Sequence, residues 1–238
     1  LHDRFLLQFS YRMKLVQPTA TARWTMPRTS IPDLPKDDWT QIRRELDLTG
    51  DYQIGYVVQD IEKASRIIGS SLGVKAWYRP RIIKQKLFYK DEPIESNVDI
   101  AVGYAGRNQV ELILHDPRRD SLYEATSVAS ETTPHHLGFF VRSVETYRSR
   151  LADRGMQPVQ YGSIWFARGH RARVAYFDAR DSLGHVVELI EHRVQRIYIG
   201  MPSWYVSLGA FTGHVERLDS GSAGPINPVR RRTSTSNF

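Results

Sequence analysis

The 238-residue chain has 41% hydrophobic and 25% charged residues, typical of a folded globular protein, and its lack of cysteine excludes disulfides, thiolate metal ligands and cysteine nucleophiles. Its net charge of +7 comes from the two ends, +4 in residues 1–30 and +4 in residues 193–238, which excludes the basic fold expected of a nucleic-acid-binding domain. No run reaches the roughly 18 apolar residues of a membrane-spanning helix, so we expect neither a membrane nor a nucleic acid as partner, and we predict a cytoplasmic location.

The first segment of the chain has the composition of an N-terminal leader. Residues 1–30 are rich in Ser, Thr and Arg and poor in acids, which favours a partly disordered leader over a transit peptide. We place the end of this leader at residue 48 and the start of the folded domain at residue 49.

The first half of the domain, residues 49–116, begins with a strand over residues 52–58, which are β-branched and aromatic. A helix follows, because apolar residues recur at three- and four-residue spacing between residues 61 and 72. Asp60 is its predicted N-cap and Gly73 its predicted stop. Further strands are predicted at residues 75–81, 86–89, 98–104 and 109–115.

The second half, residues 133–193, repeats this order. A strand over residues 136–141 precedes a helix that Ser143 caps and that ends near Gly155. Four strand candidates follow, as in the first half, and we describe the pattern of each half as βαβββ. With one helix to three or four strands, we predict an α+β fold in which two antiparallel sheets join into a cupped half-barrel. The predicted strands lie at residues 157–161, 163–167, 173–178 and 185–191.

The C-terminal extension, residues 194–238, follows the domain. Its last part, SGSAGPINPVRRRTSTSNF, is rich in Gly, Pro, Ser and Thr and includes three consecutive arginines. This composition predicts a basic, flexible tail.

The two halves also align with each other in sequence. QIGYVVQDIEKA from residue 53 matches HLGFFVRSVETY from residue 136, and VELIL from residue 110 matches VELIE from residue 187. The offset is 83 residues in the first pair and 77 in the second. Alternation along a strand puts Glu111 and Glu188 at equivalent positions beside apolar residues, where a lone carboxylate is costly to bury.

Four repeat-related positions on the concave face are candidates for a metal site: Gln53, Glu111, His136 and Glu188. Together they offer three oxygens and one nitrogen, a set that suits Zn, Ni, Co, Mn or Mg better than a soft ion. A shared dication would also offset the cost of burying two carboxylates. We predict that these residues bind one divalent metal ion.

Neighbouring residues compete with these candidates. His135 lies beside His136, and alternation puts the two on opposite faces, so we assign His135 to the surface or to an interface. Glu191 lies three residues beyond Glu188 on the other face, where we expect it to meet solvent. His115 is assigned to the rim of the cup.

The sequence leaves open the roles of two further sets of residues. ARGHRAR at residues 167–173 is either an anion-binding hairpin or a solvated turn. Four aromatic residues either line a substrate cavity or belong to the core. They are Trp77, Tyr78, Phe166 and Tyr176.

Residues 51 to about 193 resemble the vicinal oxygen chelate superfamily, which includes glyoxalase I, methylmalonyl-CoA epimerase, extradiol dioxygenases and the bleomycin-resistance proteins. The resemblance rests on QIGYVVQDIEKA, LGV, GRNQVELI, HHLGFFV, LADRG and YFDARDSLGHVVELIE in this order. It implies paired βαβββ modules and a metal ion on the four candidate residues. Their order, Gln, Glu, His, Glu, is most similar to glyoxalase I, whereas the epimerases usually have His first and Gln second.

The resemblance implies a metal-dependent isomerase, epimerase or lyase that acts on a small carbonyl compound through an enolate. By similarity to glyoxalase I, Glu188 is the first choice for the catalytic base and Glu111 the alternative. The alternative function is a metal-free binding protein of the bleomycin-resistance type. Extradiol ring cleavage fits less well, because Gln53 replaces an iron-binding His. A homodimer is also expected, with the modules pairing either within one chain or across the dimer.

Overall fold

The computed structural model describes residues 51–95, 98–114, 131–211 and 215–218, together with five isolated residues, Arg44, Leu46, Leu48, Leu122 and Tyr123. The first half contains β1 (Tyr52–Val58), α1 (Ile61–Leu72), β2 (Trp77–Pro80), β3 (Lys84–Tyr89), β4 (Glu92–Ile94), β5 (Asp99–Ala105) and β6 (Asn108–Leu114). The second half contains β7 (Thr132–Phe140), α2 (Val144–Ala152), β8 (Gln160–Ala167), β9 (His170–Ala179), α3 (Arg180–Leu183) and β10 (His185–Val194). The extension contributes β11 (Ile197–Tyr198), α4 (Ser203–Phe211) and β12 (Val215–Leu218).

The two main helices begin at the predicted caps. The side chain of Asp60 accepts a hydrogen bond from the backbone N–H three residues on at 2.7 Å, and Gly73 ends α1 in the left-handed conformation with φ of 73°. Ser143 caps α2 in the same way as Asp60. This helix ends at Ala152, and the predicted stop Gly155, with φ of 77°, belongs to the turn that follows.

The strands form one curved sheet in the order β12-β2-β5-β6-β1-β7-β10-β9-β8-β3-β4, with β11 paired to β10. Each half contributes four consecutive strands, and the halves meet within one chain through the antiparallel pair β1–β7. This confirms the predicted cupped sheet of paired modules. Most strand pairs are antiparallel as predicted, but β1–β6 and β7–β10 run parallel, because the chain returns to the first strand of each half after a helical crossover.

Strands β3 and β4 form a hairpin that the βαβββ pattern of the first half does not include. It pairs with β8 of the second half. Only residues 81–83 join β2 to β3, and this connection spans at most about 14 Å. Since β2 and β8 lie far apart in the strand order, the sheet has to curve until these two strands approach each other.

The helices α1 and α2 pack on the convex face of the sheet. Helix α1 buries Ile61, Ala64 and Ile68 in one cluster with Trp77, whose indole nitrogen donates to the backbone oxygen of Ser65 at 3.0 Å. Helix α2 buries Val144 and Leu151 in a second cluster. Trp77 therefore belongs to the core, and the concave face is left for other contacts.

The predicted domain boundaries stay a prediction, with two additions from the structure. Leu46 and Leu48, assigned to the leader, are buried and pack in the same cluster as Tyr52. In the extension, β12 pairs with β2 at the sheet edge. Residues 1–43 and 219–238 lie outside the described residues. None of the helices in the described ranges is long and apolar enough to cross a membrane.

Candidate functional site

The four predicted site residues meet on the concave face at the centre of the sheet. Gln53, Glu111, His136 and Glu188 lie on the adjacent strands β1, β6, β7 and β10, and at most 9% of any of them is exposed. Nε2 of His136 lies 3.0 Å from Oε1 of Gln53, 3.0 Å from Oε2 of Glu188 and 3.5 Å from Oε2 of Glu111. One donor atom from each of Glu111, His136 and Glu188 lies within 4.8 Å of the others. The structure thus brings together all four; their role as ligands stays a prediction.

The glycines of the repeat explain how Gln53 and His136 can approach each other across β1–β7. In this ladder Gln53 faces Gly138 and His136 faces Gly55. A Cβ atom on Gly55 would lie 2.0 Å from Cε1 of His136, and one on Gly138 would lie 2.9 Å from Oε1 of Gln53. The glycine two residues after each candidate therefore leaves room for the candidate of the other half.

His135 is buried, so its assignment to the surface is wrong. The register of β1–β7 shifts so that Gly55 pairs with His136 and Tyr56 pairs with Pro134, which leaves His135 as the extra residue of a β-bulge. A bulge interrupts the alternation of side chains. As a result the two imidazoles are neighbours, with their Nδ1 atoms 3.0 Å apart. The other ring nitrogen of His135 lies 3.4 Å from the backbone oxygen of Leu122.

The buried charges shift each other's protonation. Burial raises the pKa of Glu111 to about 8, and the charge of Glu188 adds to this rise while His136 opposes it. Burial by itself lowers the pKa of His136, but the neighbouring Glu188 and Glu111 carboxylates outweigh it, so the pKa of His136 is raised. Two acids therefore share one imidazole, and a second positive charge would be favourable at this position.

The donor set fits a divalent metal ion. Oε2 of Glu188 is buried and pairs with Nε2 of His136 at 3.0 Å, but without good hydrogen-bond geometry. A buried carboxylate oxygen without a hydrogen bond is costly, and an ion shared with the other donors would satisfy it. The remaining donors, two oxygens and an imidazole nitrogen, are of the types that Zn, Ni, Co or Mn accept.

Two tyrosines lie beside this cluster. The ring of Tyr176 packs edge-on against His136 with 5.6 Å between ring centroids, and its hydroxyl accepts a hydrogen bond from Tyr123 at 3.0 Å. Burial, together with the charge of Glu188, raises the pKa of Tyr176 well above its usual value. Tyr176 was one of the four aromatic candidates. Tyr123 was missed, because it lies between the two repeats, where alignment of the halves gives no register.

Gln109 is a second residue that the sequence analysis missed. Its Oε1 accepts a hydrogen bond from Nε2 of Gln53 at 2.6 Å, and the residue is 2% exposed. The signal for it was available, because Gln109 lies two residues before Glu111 and therefore on the same face of the strand.

Glu191 is also buried, at 3% exposure, so the expectation that it meets solvent is wrong. Its Oε2 accepts from the backbone N–H of Val144 at 3.0 Å, and its Oε1 pairs with Arg193 at 2.6 Å. A helix N-terminus and a guanidinium are the partners that a buried carboxylate requires. Glu191 therefore anchors α2 on the convex side. His115 lies outside the described residues.

The ARGHRAR segment forms the turn between β8 and β9. His170 points inward, and its Nε2 lies 2.6 Å from Nε2 of His192. Nδ1 of His192 lies 2.7 Å from the backbone oxygen of Gly200, so it has to donate there. Burial, and then His170, lowers the pKa of His192 to about 4. His192 is therefore neutral at neutral pH, and the choice between an anion-binding hairpin and a solvated turn stays open.

A cavity of about 260 Å³ lies between the concave face and α4. Its wall includes Val102, which is the cross-strand neighbour of Glu111 on the same face of the sheet. Most of its lining is apolar, with His170 and Tyr205 among the polar exceptions. Other lining residues are Phe166, Val194, Met201 and Val206.

A family match agrees with this fold. Residues 52–177, just over half of the chain, match the family described as Glyoxalase/Bleomycin resistance protein/Dioxygenase superfamily. The chain belongs to this superfamily. The resemblance to the vicinal oxygen chelate superfamily is thereby confirmed. Its members commonly use divalent metals, bind small molecules, are typically oligomeric and include both enzymes and non-enzymes.

Solved structures with a similar arrangement include three from bacteria. Methylmalonyl-CoA epimerase from Mycobacterium tuberculosis is 16% identical with a TM-score of 0.39, and the match covers 58% of this chain and 84% of that one. A hypothetical protein from Bacillus halodurans is 18% identical with a TM-score of 0.39, over 58% and 90% of the chains. A Streptomyces coelicolor methylmalonyl-CoA epimerase variant in complex with 2-nitronate-propionyl-CoA is 16% identical with a TM-score of 0.38, over 58% and 93%. These scores are too low to transfer an activity. No curated protein sequence matches the chain.

Proposed function

We propose that the protein is a metal-dependent isomerase, epimerase or lyase that removes a proton from the carbon next to the carbonyl group of a small molecule. The observation that carries this proposal is the cluster of four buried candidate ligands, in which two carboxylates share one imidazole. Burying two carboxylates together is costly without a cation, whereas the same arrangement can bind one.

In this proposal the ligands are Oε1 of Gln53, Nε2 of His136 and a carboxylate oxygen each from Glu111 and Glu188. A bound divalent ion supplies the positive charge that polarises a chelated carbonyl and makes the neighbouring C–H acidic. The protein holds the donors in place on four adjacent strands and keeps water away by burial.

Glu188 is the proposed base, and Glu111 is the alternative. A base has to be ionised and within reach of the proton that it removes. The choice of Glu188 follows the similarity to glyoxalase I, and its Oε2 lies 3.0 Å from Nε2 of His136. Burial and the charge of Glu188 raise the pKa of Glu111 in the ion-free protein, which favours the protonated form of this carboxyl.

The cavity beside Glu111 supports a small substrate with an apolar group. Its volume of about 260 Å³ lies below the roughly 300–1,000 Å³ of sites for drug-sized ligands. We infer that the carbonyl end of the substrate lies at the four donors and that an apolar part lies against Val102 and Phe166.

The proposal is tested first by elemental analysis of protein purified without chelators or an affinity tag. One divalent ion per chain is expected. Small acidic carbonyl compounds are then incubated with the protein in D₂O, and NMR measures deuterium incorporation next to the carbonyl. Glu188→Gln is expected to lower the exchange rate at least about 100-fold.

The matched control is Glu191→Gln, which changes a buried glutamate of the same strand on the convex side. It should retain both the ion and the exchange activity. Absence of a stoichiometric ion, or full activity in Glu188→Gln, would refute the proposal. Tight binding of a small molecule by ion-free protein would instead support a binding protein of the bleomycin-resistance type.

We also infer a homodimer, as expected from the oligomeric habit of the superfamily. Because the four candidate ligands come from one chain, dimer formation is not required to assemble the cluster. Light scattering after size-exclusion chromatography measures the mass in solution, and a monomer at all concentrations would contradict the inference.

A further inference from the structure

A chain of hydrogen bonds leads from Gln53 to the C-terminal extension. Nε2 of Gln53 donates to Oε1 of Gln109 at 2.6 Å, and Nε2 of Gln109 donates to the hydroxyl of Tyr104 at 2.9 Å. The hydroxyl of Tyr104 donates to the backbone oxygen of Met201, also at 2.9 Å. The strand register explains the chain, because Gln109 is the direct neighbour of Gln53 on β1 and of Tyr104 on β5.

The direction of every bond in this chain follows from its last member. A backbone carbonyl such as that of Met201 can only accept, so Tyr104 has to donate to it and its oxygen is left to accept from Gln109. Gln109 then presents its own oxygen to Gln53. Gln53 has to donate through Nε2, and its Oε1 faces Nε2 of His136 at 3.0 Å.

This orientation matters because the two ends of an amide differ in what they can bind. An amide oxygen can be a metal ligand, whereas an amide NH₂ group only donates hydrogen bonds. Gln53 and Gln109 are 5% and 2% exposed, so water is not available to replace bonds that a rotation of the amide would break. The chain therefore selects the orientation of Gln53 that a metal ion requires.

The second half of the repeat, which the structure describes from residue 131, has no equivalent chain of hydrogen bonds. The position equivalent to Gln109 is Val186, which pairs with His136 in the register in which Gln109 pairs with Gln53. His136 is oriented by His135 instead, through the 3.0 Å contact of their Nδ1 atoms. A glutamine therefore occurs at this position where the neighbouring candidate ligand is an amide, and the same strand pairing forms without one in the other half.

We propose that Gln109 and Tyr104 are positioning residues that, anchored on Met201 of the C-terminal extension, hold the oxygen of Gln53 toward the metal ion. The inference rests on the proposed function, since it assigns a role toward the same site. It gives the C-terminal extension, which lies beyond the family match to residues 52–177, a part in that site.

Co²⁺ binding to the full chain tests the proposal, because visible absorption reports both affinity and coordination. Tyr104→Phe removes one oxygen and Gln109→Met removes the amide with little change in shape. Each should weaken Co²⁺ binding by about 10- to 100-fold and change the absorption spectrum. The matched control is Tyr78→Phe, which removes a hydroxyl bonded to Ser207 on α4 at 3.1 Å but lies outside the chain of bonds. It should bind Co²⁺ like the wild type.

A double-mutant cycle separates positioning from general stability. Gln53→Ala removes the ligand, so Tyr104→Phe should cause no further loss of Co²⁺ affinity in that background. Wild-type affinity and spectrum in Tyr104→Phe would overturn the proposal, as would an equal further loss in the Gln53→Ala background. If Gln109→Met does not fold, Tyr104→Phe decides the outcome by itself.

A readout that needs no metal distinguishes failure of this inference from failure of the proposed function. In the ion-free protein the side-chain amide of Gln53 should exchange slowly with solvent in ¹H–¹⁵N NMR spectra, and Tyr104→Phe should accelerate the exchange. If the wild type binds no Co²⁺, the proposed metal site is wrong whatever the amide shows. If Co²⁺ binds but the Gln53 amide exchanges equally in both proteins, the positioning role is wrong.

Discussion

Gly55 and Gly138 lie opposite the candidate ligands of the other half of the chain, and a side chain at either position would compete with them. We expect Gly55→Ala to weaken Co²⁺ binding by at least about 10-fold and to lower the free energy of unfolding by about 1–3 kcal/mol. The reason is that the new Cβ would lie 2.0 Å from the buried ring of His136. Titration with Co²⁺ and urea unfolding measure the two effects.

Gly138→Ala provides the comparison. Its Cβ would meet Oε1 of Gln53 and Cδ1 of Ile190, each at 2.9 Å, a less severe overlap than the 2.0 Å at Gly55. We therefore expect smaller losses than in Gly55→Ala. Undiminished Co²⁺ affinity in Gly55→Ala would show that His136 does not need the position described.

The buried His192 makes the free energy of unfolding depend on pH. Burial lowers its pKa from 6.5 to about 4, so the unfolded chain takes up a proton before the folded one does. Its contribution to stability is complete above pH 6.5 and is lost as the pH falls toward 4. The loss amounts to about 3 kcal/mol over this range. Urea unfolding between pH 7.5 and pH 4.5 should show it.

The control for this effect is His192→Asn, in which the amide nitrogen can still donate to the oxygen of Gly200. The variant should be less stable at pH 7.5 but lose less stability on acidification than the wild type. Some loss should remain, because burial also lowers the pKa of His185. An equal loss in both proteins would mean that His192 is not the titrating group.

At the scale of elements, α2 depends on a carboxylate that lies far away in sequence. Oε2 of Glu191 accepts from the backbone N–H of Val144, while Oε1 pairs with Arg193. We expect Glu191→Ala to lower the free energy of unfolding by about 2 kcal/mol, because it leaves a buried N–H and a guanidinium without this partner. Co²⁺ affinity should stay unchanged. Urea unfolding followed by circular dichroism measures the first effect, and a large loss of Co²⁺ affinity would contradict the separation of the two faces.

The ends of the helices were predictable, whereas the hairpin β3–β4 was not. Asp60, Gly73 and Ser143 act through hydrogen bonds and backbone angles within a few residues, so local sequence determines them. The hairpin contains the predicted strand at residues 86–89, but its partner β8 belongs to the other half of the repeat. That pairing depends on the curvature of the whole sheet.

For the whole molecule, metal binding should be coupled to stability. An ion that binds the folded state at about 100 times its Kd adds about 2.7 kcal/mol. We expect Co²⁺ to raise Tm by several degrees in differential scanning calorimetry and a chelator to reverse the rise. His136→Ala removes the central donor of the cluster, so it should abolish the response. A rise of the same size in that variant would place the stabilising ion elsewhere.

The sequence by itself determined the helix caps at Asp60, Gly73 and Ser143, the two related halves and the four positions that meet at the centre of the sheet. These features depend on local spacing, on strand alternation and on the repeat, since matching residues of the two halves occupy matching sites in the fold. Only the tertiary structure decided how His135, Glu191 and Gln109 are used. A register shift turned His135 inward, a helix N-terminus made the burial of Glu191 possible, and the carbonyl of Met201 set the direction of a chain of hydrogen bonds through Gln109. Each of these depends on a backbone group whose position follows from the packing of segments far apart in the chain.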